Sequence, residues 1–182
     1  MSKRFLVTTA IKETIPQNEP ILFLGEWCKS FVNTNKFDKM DTKVLPYHWD
    51  DRSKLQKDYS YLTDFYEKLL IELTHQLNQI HGTDHKVKYW KILIGPWLGY
   101  FIHSIFDKWS CIQSAIKKFD LIGTYIQSIR EDLIIPSNMR HFTNLIRGEE
   151  WNHFIYSYII KNYTKVECFN QKTKFKGVQE KS

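Results

Sequence analysis

A continuous apolar run at residues 21–24 (ILFL), closed by Gly25, constrains the fold of this chain more than any other feature. Runs of this kind are typical of strands that are buried on both faces, as in parallel sheets. Short β-rich runs at residues 5–9, 43–45 and 121–126 predict three further strands. The chain is therefore expected to form a sheet whose strands are mainly parallel.

Two long stretches between the third and fourth predicted strands have apolar residues at steps of three and four, which predicts amphipathic helices. The first follows Asp51, a helix-capping residue, and stops at Gly82. The second covers residues 86–119, and Gly95-Pro96 is expected to kink or break it. Shorter helices are predicted at residues 137–146 and 149–163. This alternation predicts an α/β fold: a Rossmann-like, mainly parallel sheet with long flanking helices.

The charge is unevenly distributed along the chain. The net charge is +6, and residues 164–182 contribute half of it through five lysines and two glutamates. Domains that bind nucleic acid usually concentrate basic residues on a folded face, so nucleic acid is not expected as a partner. We therefore predict one folded domain at residues 1–163 and a polar, Lys-rich, disordered tail at 164–182.

The remaining composition points to a reducing compartment. The three cysteines are far apart and odd in number, which excludes a disulfide framework, and no signal peptide is apparent. Residues 92–106 carry no charged side chain. This segment is shorter than the ~20 residues of a spanning helix and is expected to be a core helix. The expected location is the cytoplasm, with peripheral contact at the inner membrane as a further expectation.

Polar residues directly after predicted strands are the first candidates for chemistry, because ligands of open α/β sheets bind beyond the carboxyl ends of strands. Gly25 would let a backbone approach a substrate, and Glu26 would accept a hydroxyl proton. His48 would act as a general base oriented by a carboxylate, between Tyr47 and Trp49 as stacking surfaces. The structural alternatives are a turn glycine with a solvated Glu26, and an aromatic pair beside a helix cap.

Three later segments are weaker candidates. His81 lies four residues before His85, but the segment joins two helices, so the pair does not share one helical face and no metal is expected. No cofactor is expected either. Trp97 belongs to an aromatic, glycine-containing segment that forms either core or a pocket at a kink. Asn152 and His153 lie near a helix start, where backbone N–H groups bind anions.

Several long, Trp-rich blocks are distinctive together: FLVTTAIKET, ILFLGEWC, LPYHWDDR, LNQIHGTDH, YWKILIGPWLGYFIHSIFDKWS and EEWNHFIYSYII. Over residues 4–163 the chain resembles the N-terminal region of a family of transferases from bacterial O-antigen, lipopolysaccharide and other surface-polysaccharide clusters. The resemblance implies a glycosyltransferase of the two-Rossmann-domain (GT-B) type. Its N-terminal domain would hold the acceptor, and its C-terminal domain would bind the nucleotide-activated sugar donor.

The resemblance also implies site residues by motif position. The catalytic candidates are His48 and Glu26, either of which would deprotonate a hydroxyl of a glycan or lipid-linked acceptor. The substrate-binding candidates that match the family's blocks are Gly25, Asp50, Arg52, His81, Trp97, Asn152 and His153. Among them, Arg52 would hold a phosphate in its planar fork.

The family members are longer than this chain, so we expect an N-terminal fragment that lacks the donor half. A truncation, an early stop or a fragmentary gene would each produce it. The alternative function is a non-catalytic remnant or binding domain that needs a separate donor-binding half.

Overall fold

The computed structural model describes residues 3–30, 37 and 40–170, and these residues form an α/β fold around a sheet of five parallel strands. The strands are β1 (Arg4–Val7), β2 (Ile21–Phe23), β3 (Thr42–Val44), β4 (Leu121–Ile126) and β5 (Cys168–Asn170). The helices are α1 (Arg52–His81), α2 (Val87–Lys118), α3 (Met139–Leu145) and α4 (Glu149–Tyr163). The predicted fold class, a Rossmann-like α/β domain with long helices, is confirmed.

The strand order is β3-β2-β1-β4-β5, so the direction in which the sheet grows reverses beside β1. The chain builds β1, β2 and β3 outward on one side and then crosses back to place β4 on the other side of β1. All strands are parallel, and their carboxyl ends therefore meet at one edge of the sheet. In folds of this type, that edge near the reversal is where ligands bind.

The core forms where the strands meet the second half of α2 and the face of α4. Ile21, Leu22 and Phe23 of β2 are each 0% exposed, which agrees with the prediction of a strand buried on both faces. The helical residues that pack into the same core are Cys111, Ile112, Ala115, Tyr156, Ile159 and Ile160. This packing fixes α2 and α4 relative to the strand ends.

The two long helices form a hairpin with its own small core. Asp51 caps α1 by accepting a hydrogen bond from the Lys54 backbone N–H, and Gly82 ends the helix at φ +62°. Leu62, Leu70, Leu98 and Ile102 pack between the helices.

Pro96 lies inside α2, which runs on through it, so the predicted break does not occur. The uncharged segment at 92–106 lies within this helix. Among the described helices, none combines the length and the apolar character that crossing a bilayer requires.

Strand β5 lies in the segment that the sequence assigned to a disordered tail. It pairs with β4, and Phe169 packs against Phe5 and Tyr125 with ring centroids 5.7 and 5.9 Å away. The folded part therefore continues to Asn170, beyond the boundary predicted at residue 163. This strand lies in a polar segment and lacks the continuous apolar run that predicted β2. The rest of the predicted tail, 171–182, lies outside the described residues.

The docking of β5 can be tested at Gly123 of β4. A Cβ atom there would lie 2.5 Å from the Phe169 ring and 2.7 Å from the Glu167 carbonyl oxygen. Gly123→Ala should therefore lower the free energy of unfolding by roughly 1–3 kcal/mol, measured by urea denaturation. The matched control is Gly99→Ala in α2, whose nearest neighbour would be 4.0 Å away. It should raise stability by roughly 0.5–1 kcal/mol. An unchanged stability of Gly123→Ala would show that β5 does not pack as described.

Candidate functional site

A cavity of about 870 Å³ opens at the carboxyl edge of the sheet. Its volume lies within the range of about 300–1,000 Å³ that is typical of ligand pockets. Thr9 follows β1, and Gly25 and Glu26 follow β2, while Tyr47 and Asp50 come from the segment after β3. The opposite wall comes from α2, the end of α3 and the start of α4, through Asp107, Lys108, Arg147, Glu149 and Asn152. The cavity therefore combines acidic and basic side chains.

The Asp107 carboxylate of this cavity is held in place by neighbouring side chains. Its Oδ1 atom accepts hydrogen bonds from the Tyr47 hydroxyl at 2.9 Å and from His48 Nε2 at 3.0 Å. No described residue donates to Oδ2, and the side chain is 22% exposed and lines the cavity. Burial and the negative charge of Asp107 raise the pKa of the Tyr47 hydroxyl, so it remains a donor at neutral pH. Asp107 is thus held by one oxygen and open at the other.

His48 lies behind Asp107 and does not itself line the cavity. Its side chain is 3% exposed and packs between Tyr47 and Trp49, with ring centroids 5.0 and 4.6 Å away. Because a carboxylate oxygen can only accept, Nε2 carries the proton, and Nδ1 is buried without a partner among the described residues. The carboxylate expected to orient His48 therefore exists and is Asp107, but neither ring nitrogen faces the cavity.

Sequence reasoning missed Asp107, because the residue lies 59 positions from His48 on another element. The available signal was its place in the chain: it is the first charged residue after the uncharged segment at 92–106, in the middle of a helix. A charged side chain at such a position needs a partner or a function.

His48, Asp107 and Cys111 bring potential metal-ligand atoms within 4.8 Å of one another. The fit to a metal ion is poor. Burial and the nearby Asp107 charge raise the pKa of the Cys111 thiol, whereas a metal needs the thiolate. In addition, Oδ1 of Asp107 already accepts hydrogen bonds from Tyr47, from His48 and, at 3.9 Å, from the Cys111 thiol. We therefore treat the group as a hydrogen-bond network.

Lys108 places a positive charge next to Asp107. The residue is 6% exposed, its Nζ donates to Ser104 Oγ at 3.0 Å, and it lies 5.3 Å from the Trp151 ring. Burial lowers the pKa of its ammonium group. Arg147, by contrast, is an exposed side chain at the cavity. The cavity can therefore accept an anionic group as well as neutral hydroxyls.

His153 joins the ends of β1 and β4 at the point where the strand order reverses. The Gln127 backbone N–H donates to Nε2 at 3.0 Å, so the proton is on Nδ1, which donates to Thr9 Oγ1 at 3.2 Å. The residue is 1% exposed, and burial lowers its pKa to about 4. His153 is therefore a neutral link between the strand ends and α4.

Two neighbours of His153 complete this link. Glu149 Oε2 accepts from the Ala10 backbone N–H at 2.8 Å, which ties the first turn of α4 to the chain after β1. Asn152 lines the cavity, but its Nδ2 donates to the carbonyls of Ile146 and Gly148 and so holds the turn between α3 and α4. The side chains of Asn152 and His153, both predicted to bind substrate, are thus engaged in contacts within the fold.

Gly25 has a packing role in the structure. A Cβ atom on it would lie 2.0 Å from the ring of Trp27, whose Nε1 donates to the Thr8 carbonyl at 3.0 Å. The missing side chain therefore lets the indole cover the end of β2. Glu26, in contrast, is largely exposed at the rim and forms an ion pair with Lys29 at 3.1 Å.

Of the predicted site residues, Gly25, Glu26, Asp50 and Asn152 line the cavity. The other five do not belong to the described lining: His48 and His153, described above, and Arg52, His81 and Trp97. Arg52 is exposed at the start of α1, and His81 stacks on Trp90 with ring centroids 5.7 Å apart at the other end of that helix. Trp97 packs on Phe101, with ring centroids 5.1 Å apart, in a separate apolar cluster.

Comparison with known proteins identifies the family. A family model described as LIC12162 family transferase matches residues 4–182, and the chain belongs to this family. No curated protein and no solved structure matches the chain. The transferase class implied by the resemblance is therefore confirmed at the level of the family.

The link through His153 predicts a specific dependence of stability on pH. The folded pKa of about 4 lies below the ordinary value, so from about pH 6.5 down to about pH 4 only the unfolded chain takes up this proton. This stabilising contribution is complete above about pH 6.5 and is lost across that window, by roughly 3 kcal/mol in total.

His153→Gln retains neutral donor and acceptor groups but cannot titrate. It should be less stable than the wild type at neutral pH, and the difference should shrink by roughly 3 kcal/mol by about pH 4 in urea unfolding experiments. A difference that stays constant with pH would show that His153 is not buried in its neutral form.

Proposed function

We propose that this member of the LIC12162 transferase family supplies the acceptor side of a glycosyltransferase-like enzyme, with Asp107 as the group that accepts the proton of the acceptor hydroxyl. The observation that carries the proposal is the asymmetry of Asp107. Oδ1 is held by Tyr47 and His48, whereas Oδ2 receives no hydrogen bond from any described residue. The Asp107 side chain also lines the cavity. A carboxylate in this state is fixed in position and free to bind a hydroxyl.

The proposed reaction is the transfer of a glycosyl group from a nucleotide-activated sugar. The acceptor oxygen forms a bond to the anomeric carbon, and its proton moves to Asp107 Oδ2. The bond between that carbon and the phosphate oxygen breaks, and the nucleotide leaves with the electron pair. His48 and Tyr47 act as positioning residues, because both donate hydrogen bonds to Asp107 Oδ1.

Other cavity residues would bind the substrates. Glu26 and Asp50 are carboxylates that line the cavity and accept hydrogen bonds from further acceptor hydroxyls. Glu26, which was predicted to be catalytic, acts in substrate binding in this proposal. Arg147 is exposed at the cavity and suits bidentate contact with a phosphate. It takes the role that the sequence suggested for Arg52, which lies outside the cavity lining.

The biological setting follows from the resemblance to the surface-polysaccharide transferases. In this proposal the acceptor is a glycan or a lipid-linked glycan of O-antigen or lipopolysaccharide assembly, handled in the cytoplasm at the inner membrane surface. The nucleotide-sugar site lies in a second domain, as in two-domain glycosyltransferases. The alternative is a domain that binds the acceptor but performs no transfer without that second domain.

The role of Asp107 can be tested by nucleotide release from a panel of UDP-, GDP-, CMP- and dTDP-activated sugars in the presence of glycan acceptors, with the chain alone and with the chain supplied with a donor-binding domain of the family. Asp107→Asn retains an oxygen for Tyr47 and His48 but cannot take the proton, so the rate should fall at least ~100-fold. His48→Gln and Tyr47→Phe should cost about tenfold each, since they only loosen Asp107. Asp84→Asn, in the exposed turn between α1 and α2, is the control and should keep the full rate.

Two results would change this assignment. Full activity of Asp107→Asn with a large loss in Glu26→Gln would move the base to Glu26. Acceptor binding that depends on the cavity residues, without any nucleotide release by the wild type, would favour the binding domain that needs a separate donor half.

A further inference from the structure

A second cavity, an open groove of about 690 Å³, lies between α1 and α2. Tyr59, Leu62 and Tyr66 of α1 line one side, and Pro96 and Tyr100 of α2 line the other. Tyr59 is 63% exposed and Tyr100 is 58% exposed. The groove therefore presents aromatic surface to solvent, which is favourable to cover with an apolar ligand.

The shape of the groove depends on two glycines in α2. The hydroxyl of Tyr66 lies where a side chain of Gly95 would be, 2.5 Å from a Cβ atom at that position. At Gly99, one turn further, the nearest atom to such a Cβ is a Tyr66 ring carbon at 4.0 Å. Bare backbone at these two positions lets the Tyr66 ring lie against α2 and keeps the groove open.

The polar side chains of the groove are largely engaged with one another or with the backbone. Lys91 pairs with Glu67 at 2.6 Å, and these two are the charged residues of the described lining. Thr63 Oγ1 donates to the Tyr59 carbonyl at 2.8 Å, and His103 Nδ1 donates to the Gly99 carbonyl at 2.8 Å. The groove has no net charge and offers mainly hydrophobic contact, which fits an apolar chain better than a glycan.

The groove is in line with the first cavity. Tyr100, His103 and Asp107 are spaced by three and four residues, so they share one face of α2. Tyr100 and His103 line the groove, and Asp107 lines the first cavity. Asp107 lies seven positions after Tyr100, which corresponds to about 10 Å along the helix axis. A ligand that fills the groove would therefore place its end near Asp107.

We infer that the groove binds the apolar chain of an amphiphilic acceptor, whose polar head then lies at Asp107. The inference rests on the proposed function for the identity of the head group, and it narrows the acceptor to a molecule with an alkyl or isoprenoid chain. Tyr100, His103 and Asp107 align the groove with the first cavity along one face of α2, and a mainly apolar lining without net charge favours the chain.

The test uses β-D-glucosides with chains from methyl to decyl, each kept below its critical micelle concentration, and isothermal titration calorimetry. Binding to the wild type should tighten with every added CH₂ by up to about fourfold, as expected for burial of a methylene group. Methyl glucoside should gain nothing from the groove. This measurement requires no turnover, so its outcome is independent of whether Asp107 is the base.

Thr63→Glu places a carboxylate in the apolar groove and should flatten the dependence on chain length to below about 1.5-fold per CH₂. Ser60→Glu is the matched control. Both residues are exposed on α1, and both hydroxyls bond the carbonyl four residues earlier, but Ser60 is not part of the groove. Asp107→Asn should keep the chain-length dependence, even where it abolishes transfer.

Equal chain-length dependence in the wild type and Thr63→Glu would overturn the inference, and so would no dependence in the wild type. Binding to phospholipid vesicles without binding of the monomeric glucosides would instead identify the groove as a membrane-docking face. A dimer that Thr63→Glu dissociates, again without glucoside binding, would identify it as a contact between two copies of the chain.

Discussion

The hydrogen bonds of His153 join α4 to the carboxyl ends of β1 and β4, and the position of the cavity wall depends on this connection. At the reversal of strand order, the chains leaving β1 and β4 diverge, and polar groups at their ends need partners. One neutral imidazole accepts from the Gln127 N–H and donates to Thr9, while Glu149 binds the Ala10 N–H. These contacts fix the start of α4 at the carboxyl edge. This link therefore positions the cavity wall that α4 provides.

The second constraint is the pair of opposite charges that α2 brings to the cavity. Asp107 and Lys108 are adjacent in sequence, so they leave the helix about 100° apart. Asp107 is held by Tyr47 and His48, and Lys108 lies near the rings of Trp151 and Tyr156. Each charge therefore has its own set of contacts, and the carboxylate need not pair directly with the ammonium. This separation is what leaves Asp107 Oδ2 available to an acceptor hydroxyl.

The fold could be predicted because its signals are local. The buried strand β2 and the two long helices have clear apolar patterns, and the parallel sheet follows from their order. Strand β5 lies in a polar segment and depends on pairing with β4, so no local pattern reveals it. The helix also continues through Pro96, where residues on both sides of the proline, Ile94 and Leu98, pack against α1.

The candidate site was only partly predictable, because its central contacts join residues far apart in the chain. The strand-end rule correctly directed attention to Glu26 and Asp50, which line the cavity. The partner of His48 comes from the middle of α2, and sequence spacing gives no information on that contact. Arg52, His81 and Trp97 have chemistry suitable for binding, but the fold uses them at helix ends and in an apolar cluster. Whether the lining residues bind substrate stays a prediction.

The proposed role of Asp107 as a base requires that its carboxylate is ionised and accepts a hydrogen bond from the Nε2–H group of His48. A two-bond ¹H–¹⁵N correlation spectrum of the ¹⁵N-labelled protein reports the tautomer of each histidine ring, and the His48→Gln spectrum assigns the signals. We expect His48 to carry its proton on Nε2 and to be unprotonated on Nδ1 at neutral pH. A bare Nε2 would mean that Asp107 donates the proton in this hydrogen bond, which would contradict its role as a base.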